Sequence, residues 1–174
     1  GEGDRIAKGT VVATLRGRSR ALVTAERASL NFLQTLSGTA TITARHVDAV
    51  RGTGTTLLDT RKTIPGLRIA QKYAVRVGGG GHHRIALYDA GMREENHIRA
   101  FGSVAAAIAR ARALHPALPL IVEVETLGQL REALDTGCTR ILIDDFDADT
   151  RREAVRIAKS APYHGRIPLE VSGG

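Results

Sequence analysis

Two apolar runs decide the fold of this chain: LIVEVE at residues 120–125 and ILIDD at residues 141–145. Each run opens with three consecutive apolar residues instead of an apolar–polar alternation. Such runs indicate strands that are buried on both faces, as the strands of parallel sheets are. Residues 127–134 between them predict a helix. A strand, a helix and a second strand in this order are typical of a β/α unit.

The alternation of strands and helices continues on both sides of these runs. The five predicted strands from residue 55 onward alternate with helices, and they fit part of a parallel β/α barrel better than a complete one. Near the N-terminus, residues 25–44 predict a helix that passes into a tighter Ser-Gly-Thr-Ala segment. The remaining predicted elements are strands at residues 10–15, 55–59, 84–88 and 168–171, and helices at residues 67–77, 103–114 and 150–159.

The composition favours an acidic small molecule as partner. The 174 residues carry a formal net charge of +7, nearly all of it from arginine. Nucleic-acid binders cluster such charge on one face and interleave aromatic residues, whereas here the arginines are scattered and the tyrosines few. No apolar run approaches the ~18 residues of a membrane helix. Cys138 is the single cysteine, which excludes an internal disulfide and favours a cytoplasmic setting.

Polar residues gather where the predicted strands end. In parallel β/α proteins the chemistry lies at the carboxyl ends of the strands. Taken singly, Asp59, Asp144 and Asp145 are equally well explained as capping or turn residues. However, the segment TRKT at residues 60–63 places two cations and two hydroxyls directly after an apolar strand. That combination is suited to holding a phosphate or a carboxylate.

Other kinds of site have less support. The glycine run at residues 78–81 lacks the spacing of either nucleotide-binding fingerprint. His82 and His83 are adjacent in a strand-like stretch and would point to opposite faces, so a zinc site is disfavoured. No serine or cysteine lies in a recognisable nucleophile elbow. The carboxylates Glu123 and Asp144 suit Mg²⁺ or sugar hydroxyls.

A series of motifs, in order and over essentially the whole chain, resembles the quinolinate phosphoribosyltransferase family. The resemblance implies an incomplete parallel β/α barrel, with residues 46–174 forming most of it and residues 1–45 ending an N-terminal α/β domain. Both ends of the chain look truncated by comparison with that plan. The motifs are ERASLNFLQ at 26–34, LSGTAT at 36–41, LDTRKTIPGLR at 58–68, QKYAV at 71–75, GGG at 78–80, HR at 83–84, LYDA at 87–90, ENHI at 95–98, EVE at 123–125, LID at 142–144 and LEVSG at 169–173.

The resemblance also implies an activity. Members join quinolinate to the phosphoribosyl group of phosphoribosyl pyrophosphate, giving nicotinate mononucleotide, carbon dioxide and pyrophosphate in NAD biosynthesis. Mg²⁺ is the implied cofactor, and a homodimer or higher homo-oligomer shares each active site between subunits. No nucleic acid or membrane is implied as a partner. The alternative is a diverged homologue with a different aromatic acid as substrate, or with a non-catalytic ligand-binding role.

Site residues follow from the resemblance position by position. Lys62, Glu123 and Asp144 would take part in catalysis, and the two carboxylates would hold Mg²⁺ directly or indirectly. Arg27 would reach into the partner's site to contact quinolinate. The implied substrate-binding residues are Arg27, Thr60, Arg61, Lys62, His83, Arg84, Glu94, Glu123, Asp144 and the 5′-phosphate loop of Ser172, Gly173 and Gly174.

The chain departs from the family pattern at three positions. Glu94 stands where a lysine is usual, and this reversal of charge is expected to weaken the binding of phosphates and carboxylates. Arg93 is a cation one position away, but on a strand it would face the other side. His82 and Asp145 each stand where an asparagine is usual. We therefore expect either a re-tuned pocket or weakened catalysis.

Overall fold

The computed structural model describes residues 1–86, 88–93 and 100–173, and its chain divides into two compact units, Gly1–Ile85 and Ala86–Gly174. The first unit is helical, and the second contains a parallel sheet covered by helices. The α/β class predicted from the apolar runs is therefore confirmed. Of the helices within the described ranges, none has both the length and the hydropathy of a membrane span.

The first unit is organised by helices α1 (Ser19–Ala49) and α2 (Arg68–Val77). The prediction of α2 is confirmed, whereas α1 is longer than expected and continues through Gly38 without a tighter segment. The threonine hydroxyls of this stretch donate to carbonyls one turn back, from Thr43 to Thr39 at 2.8 Å for example. These bonds stay inside the helix, so the Ser-Gly-Thr-Ala sequence does not interrupt it.

Three predicted strands are wrong. Residues 10–15 are exposed and pair with no strand in the described part of the chain. Residues 55–59 make a single bridge, from Leu58 to Gly81. Residues 84–86 and 88 form no strand, and residue 87 lies outside the described ranges. Backbone groups of this segment form hydrogen bonds with side chains: Arg68 donates to the Ile85 carbonyl, and Asp89 accepts from the Ala86 amide.

The second unit is built of β/α units, as predicted. Its described strands are all parallel and lie in chain order, so each strand pairs with the next. The first of them was not anticipated from the sequence. The strands are β1 (Gly91–Arg93), β2 (Leu120–Val124), β3 (Arg140–Asp144) and β4 (Leu169–Ser172), and the helices between them are α3 (Val104–Leu114), α4 (Leu127–Thr136) and α5 (Ala148–Lys159).

Side-chain caps set where these three helices begin. Ser103 accepts a hydrogen bond from the Ala106 amide at 3.1 Å, and Thr126 caps α4 in the same way. Asp147 caps α5 through the Thr150 amide at 2.7 Å. The hydrogen bonds that Thr150 donates, first from its side chain and then from its backbone, hold the pKa of Asp147 below its ordinary value. Each helix therefore begins at the residue that follows its cap.

The two faces of the sheet differ. One face is apolar and fully buried under the helices, with Val122, Val124, Ile141 and Ile143 at 0% exposure. On the other face, Leu142 is only half-buried, in register with Glu123 on β2 and Glu170 on β4. The prediction of strands buried on both faces thus holds for residues 120–122 but is wrong for β3 within this unit. A polar face remains at the carboxyl ends of the strands.

The glycine run after α2 is required by packing. Gly78 lies directly against α1: a Cβ there would come within 2.5 Å of the Ala40 carbonyl and 2.7 Å of the Thr43 Cβ. A Cβ at Gly80 would come within 2.7 Å of the Val75 side chain. Residues 78–81 are therefore neither a spare loop nor a nucleotide fingerprint. They allow α1 and α2 to approach each other.

The replacement Gly78→Ala tests this packing. We expect it to lower the free energy of unfolding by about 1–3 kcal/mol, because the added methyl group overlaps a backbone oxygen that cannot move alone. Gly38→Ala in α1 is the matched control, since no atom lies within 4 Å of the added Cβ. The control should raise stability by about 0.5–1 kcal/mol, as glycine is unfavourable inside helices. Equal urea-unfolding curves for the two variants would contradict the account.

Candidate active site

Two polar loops of the first unit begin side by side. The TRKT loop, residues 60–63, follows Leu58 on one side of the bridge, and the HHR loop, residues 82–84, follows Gly81 on the other. The Asp59 amide donates to the Gly81 carbonyl at 3.1 Å. Because this bridge is parallel, the two loops leave it in the same direction although they are distant in sequence.

A buried carboxylate, Asp59, connects the two loops. Its Oδ1 accepts a hydrogen bond from the His83 amide at 2.9 Å, and its Oδ2 lies 2.7 Å from Nδ1 of the His82 ring. The ammonium group of Lys72, on α2, also binds Oδ1. The side chains of Asp59 and Lys72 are each only 4% exposed. The carboxylate is thus fully engaged by donors from the second loop and from α2.

Arg68, the first residue of α2, makes a second connection. Its guanidinium donates to the Arg61 carbonyl at 3.2 Å and to the Ile85 carbonyl at 3.3 Å. Its Nε lies 3.3 Å from the Thr63 hydroxyl. The rigid fork of an arginine can hold several acceptors at fixed spacing. Arg68 therefore holds the TRKT loop to the segment that follows the HHR loop.

Arg61 has the environment of an anion-binding residue. Its Nε is buried and has no hydrogen-bond partner among the residues that the structure describes. A buried donor without an acceptor costs about 1–3 kcal/mol. A carboxylate or phosphate oxygen would satisfy this donor through a charge-assisted bond. Beside it, the Thr60 hydroxyl accepts from the Lys62 amide at 3.0 Å and holds the turn.

The structure brings five of the predicted site residues into these two loops. Thr60, Arg61 and Lys62 lie in the TRKT loop, and His83 and Arg84 lie in the HHR loop. Lys62 is exposed, Arg61 and His83 are half-buried, and Arg84 is buried at 9% exposure. Arg27 lies outside the loops, on an exposed part of α1.

In the second unit, Glu123 and Asp144 lie on the polar face of the sheet. Glu123 is in register with Leu142, which precedes Asp144 by two residues on β3. From the strand spacing and the rise per residue, their Cα atoms are about 8 Å apart. Both are half-buried. Two carboxylates at this spacing can reach one cation or the hydroxyls of one sugar.

Ser172 and Gly173 end the neighbouring strand. Ser172 is in register with Asp144, and its hydroxyl donates to the Asp144 carboxylate at 2.5 Å. Gly173 has φ 80°, and a Cβ there would come within 2.6 Å of the Asp145 backbone nitrogen. Only glycine fits both the conformation and the space. A turn of this kind exposes backbone amides, which suits it to a phosphate.

The carboxylate pair is compatible with magnesium. In the described residues, no group of three or more His, Cys, Asp or Glu side chains is placed to hold a metal ion. Mg²⁺ usually keeps several waters and is bound through one or two carboxylates together with substrate phosphates. Glu123 and Asp144 supply two carboxylates, which fits an ion that arrives with a phosphorylated substrate.

The one cysteine belongs to the core. Cys138 is 3% exposed, and burial raises the pKa of its thiol to about 11. At neutral pH the group is therefore protonated and a poor nucleophile. Two other predicted site residues, Glu94 and Gly174, lie outside the described residues, as do the family motif at residues 95–98 and residue 87.

Sequence reasoning missed three residues that hold this site. From the sequence, Asp59 is explained as a capping or turn residue. Arg68 and Lys72 occur within family motifs, at residues 58–68 and 71–75, and their residue types alone assign them no role in the site. The carboxylate of Asp59 instead binds Lys72, His82 and His83. One signal was available in the sequence: Arg68 and Lys72 are four residues apart on a helix, so they share a face.

Comparison with protein families gives two matches that together cover nearly the whole chain. Residues 1–37 match the N-terminal domain, and residues 39–174 the C-terminal domain, of quinolinate phosphoribosyl transferase. The carboxylating nicotinate-nucleotide pyrophosphorylase of Mycobacterium leprae is 46% identical over 174 residues, covering 99% of this chain and 60% of the relative. A probable carboxylating nicotinate-nucleotide pyrophosphorylase of Bacillus subtilis is 45% identical, with 99% and 58% covered. The chain thus spans about three fifths of these relatives.

Solved structures agree with this. NadC from Streptococcus pyogenes superposes with a TM-score of 0.91 at 44% identity, covering 99% of this chain and 59% of that one. The nicotinate-nucleotide pyrophosphorylase from Francisella tularensis gives a TM-score of 0.83 at 47% identity, with 89% and 54% covered. Parallel strands that alternate with helices are consistent with part of a β/α barrel, as in these solved structures. The chain belongs to the quinolinate phosphoribosyl transferase family, as its motifs predicted.

Proposed function

We propose that the protein transfers the phosphoribosyl group of phosphoribosyl pyrophosphate to the ring nitrogen of quinolinate, producing nicotinate mononucleotide, carbon dioxide and pyrophosphate for NAD biosynthesis. The names of its relatives support this activity. The observation in this chain that carries the proposal is the buried, unpaired Nε of Arg61. Quinolinate has two adjacent carboxylates, and the planar edge of a guanidinium pairs with a carboxylate through two parallel bonds.

The loop pair supplies the remaining positive charge. We assign Lys62, His83 and Arg84 to the same acid-binding pocket, with Thr60 holding the turn. Asp59 does not cancel this charge, because its carboxylate is already neutralised by the buried ammonium of Lys72. The two loops therefore contribute guanidinium and ammonium groups to a pocket for a substrate that arrives as a dianion.

The carboxylates of the sheet act on the ribose. As the bond from the anomeric carbon to pyrophosphate breaks, positive charge develops on the sugar ring. Glu123 and Asp144, fixed on one face of the sheet, stabilise that charge without reorganising. Ser172 and Gly173 hold the 5′-phosphate, together with Gly174. When Mg²⁺ is bound through this carboxylate pair, it neutralises charge on the leaving pyrophosphate.

Decarboxylation then needs no covalent nucleophile. Transfer to the ring nitrogen turns the pyridine into a cation. The electron pair left on the ring carbon by departing carbon dioxide is stabilised by that cation, and a proton then adds to the same carbon. The buried thiol of Cys138 is not involved. The protein's part is to orient the carboxylates and the ring, which is the role of the fixed cations of the loops.

Replacing Arg61 tests the proposal. The intact protein should form nicotinate mononucleotide from quinolinate, phosphoribosyl pyrophosphate and Mg²⁺. Arg61→Lys should raise the KM for quinolinate by about tenfold or more, because a lysine loses the two-bond geometry. Arg76→Lys, an exposed arginine on α2 that lies over the Tyr73 ring, is the control and should leave KM unchanged. Absence of product from the unmodified protein would contradict the proposed activity.

We propose further that the protein works as a homodimer in which Arg27 enters the site of the neighbouring copy. The helix that carries Arg27 supports this, since it exposes large apolar side chains. Val23 is 71% exposed, Phe32 53% and Ile42 49%. A helix with such a surface is better accounted for by burial in an interface than by exposure to water.

Mixed dimers test the shared site. Arg27→Ala and Glu123→Gln proteins should each be nearly inactive. Co-expressed in equal amounts, they should recover about a quarter of the normal turnover, since half of the random dimers are mixed and each holds one intact site. A mixture no more active than its components would show that Arg27 and Glu123 serve the same copy, or that Arg27 is not required.

A further inference from the structure

We infer that Asp59 is a positioning residue for this site: its buried carboxylate sets the spacing between the TRKT and HHR loops, so that the cations of both loops meet one substrate acid. This inference rests on the proposed function, because the benefit of fixed spacing is the binding of quinolinate. Asp59 does not touch the substrate. Its side chain is 4% exposed, and both oxygens are occupied.

The contacts of Asp59 hold the HHR loop at several points. Its backbone amide is bonded to Gly81, where the HHR loop begins. Its side chain holds that loop at two successive residues, through the His82 ring and the His83 amide. The next residue along the chain from Asp59 is the first of the TRKT loop. A single side chain therefore fixes the start of one loop relative to the backbone of the other.

The ion pair with Lys72 neutralises the charge of Asp59, but it does not explain why residue 59 is an aspartate. A buried ion pair can often be replaced by apolar side chains of similar volume without loss of stability. Such a replacement at residues 59 and 72 would keep the packing. It would remove the acceptor for the His82 ring and the His83 amide, and those two bonds are what an apolar pair cannot reproduce. Stability and loop position are therefore separable by mutation.

The same logic explains why His83 is reached through its backbone. The Oδ1 atom accepts from the His83 amide, so the backbone at this residue is fixed by a bond that does not use the imidazole. The neighbouring His82 ring donates through Nδ1 to an ionised carboxylate, and the ring is 41% exposed. Arg68 donates to the Arg61 and Ile85 carbonyls, and the bonds of Asp59 to the two histidines are additional to that connection.

Three variants of the intact protein separate the two roles. Lys72→Met alone strands the charge of Asp59 but keeps its bonds to the histidines, so the melting temperature should fall, and the uncompensated charge should raise the KM for quinolinate less than the loss of those bonds does. In the double variant Asp59→Leu/Lys72→Met, the melting temperature should return toward normal while KM rises about tenfold or more. Asp59→Asn/Lys72→Met, which keeps an acceptor oxygen, should recover part of that KM. A double variant Asp59→Leu/Lys72→Met with normal KM would overturn the inference.

A readout without activity separates this inference from the proposed function. Amide hydrogen exchange at His83 should be slow in the unmodified protein and in Lys72→Met, and fast in Asp59→Leu/Lys72→Met. If the His83 amide of the double variant exchanges as slowly as in the unmodified protein, the positioning role is overturned, and this holds regardless of the measured enzyme activity. If the double variant loses protection at His83 and the unmodified protein makes no nicotinate mononucleotide, the positioning role is supported and the proposed activity is refuted. Glu153→Gln, which removes an exposed ion pair with Arg156 on α5, is the control and should change neither quantity.

Discussion

A carboxylate that is 4% exposed needs donors for both of its oxygens, and Asp59 obtains them from an ammonium, an imidazole and a backbone amide. This requirement fixes the positions of two loops in the first unit. Ala74 is the one apolar side chain of Gly1–Ile85 that is buried, whereas Lys72 and Arg84 are both buried there. Charges thus form much of the interior of this unit. Because each must be paired, their partners fix the loops around them.

In the second unit, the alternation of side chains along parallel strands separates stability from chemistry. The apolar face of β2 and β3 packs under the helices, and the opposite face carries Glu123 and Asp144 beside Ser172 of β4. Glu170 lies on the same polar face. Its carboxylate is paired with the Arg140 guanidinium, which neutralises the negative charge of Glu170. The register that buries Ile143 therefore also places Asp144 beside Ser172. A shift of one residue would destroy the core and the site together.

The sequence predicted most of what depends on local spacing. Apolar runs and apolar spacing located β2, β3, β4 and the helices between them, because these patterns are read within a few residues. Strand pairing depends on residues that are distant in sequence and is harder to predict. Residues 10–15 have a strand-like pattern but no neighbouring strand among the described residues. In residues 84–86, the Ile85 carbonyl and the Ala86 amide form hydrogen bonds with side chains and not with another strand. The role of Asp59 likewise depends on Lys72 and His83, which are distant in sequence. Family motifs supplied the site residues, while the structure supplied the residues that hold them.

The central claim is that the TRKT and HHR loops form one acid-binding site whose key donor is Arg61 Nε. A titration of the ¹⁵N-labelled protein with quinolinate, followed by nuclear magnetic resonance, tests it most directly. The account predicts that the Arg61 Nε–H signal and the amides of His83 and Arg84 shift together and saturate at one quinolinate concentration. It would be contradicted by an unchanged Arg61 signal together with shifts at exposed arginines of α5, such as Arg152 and Arg156.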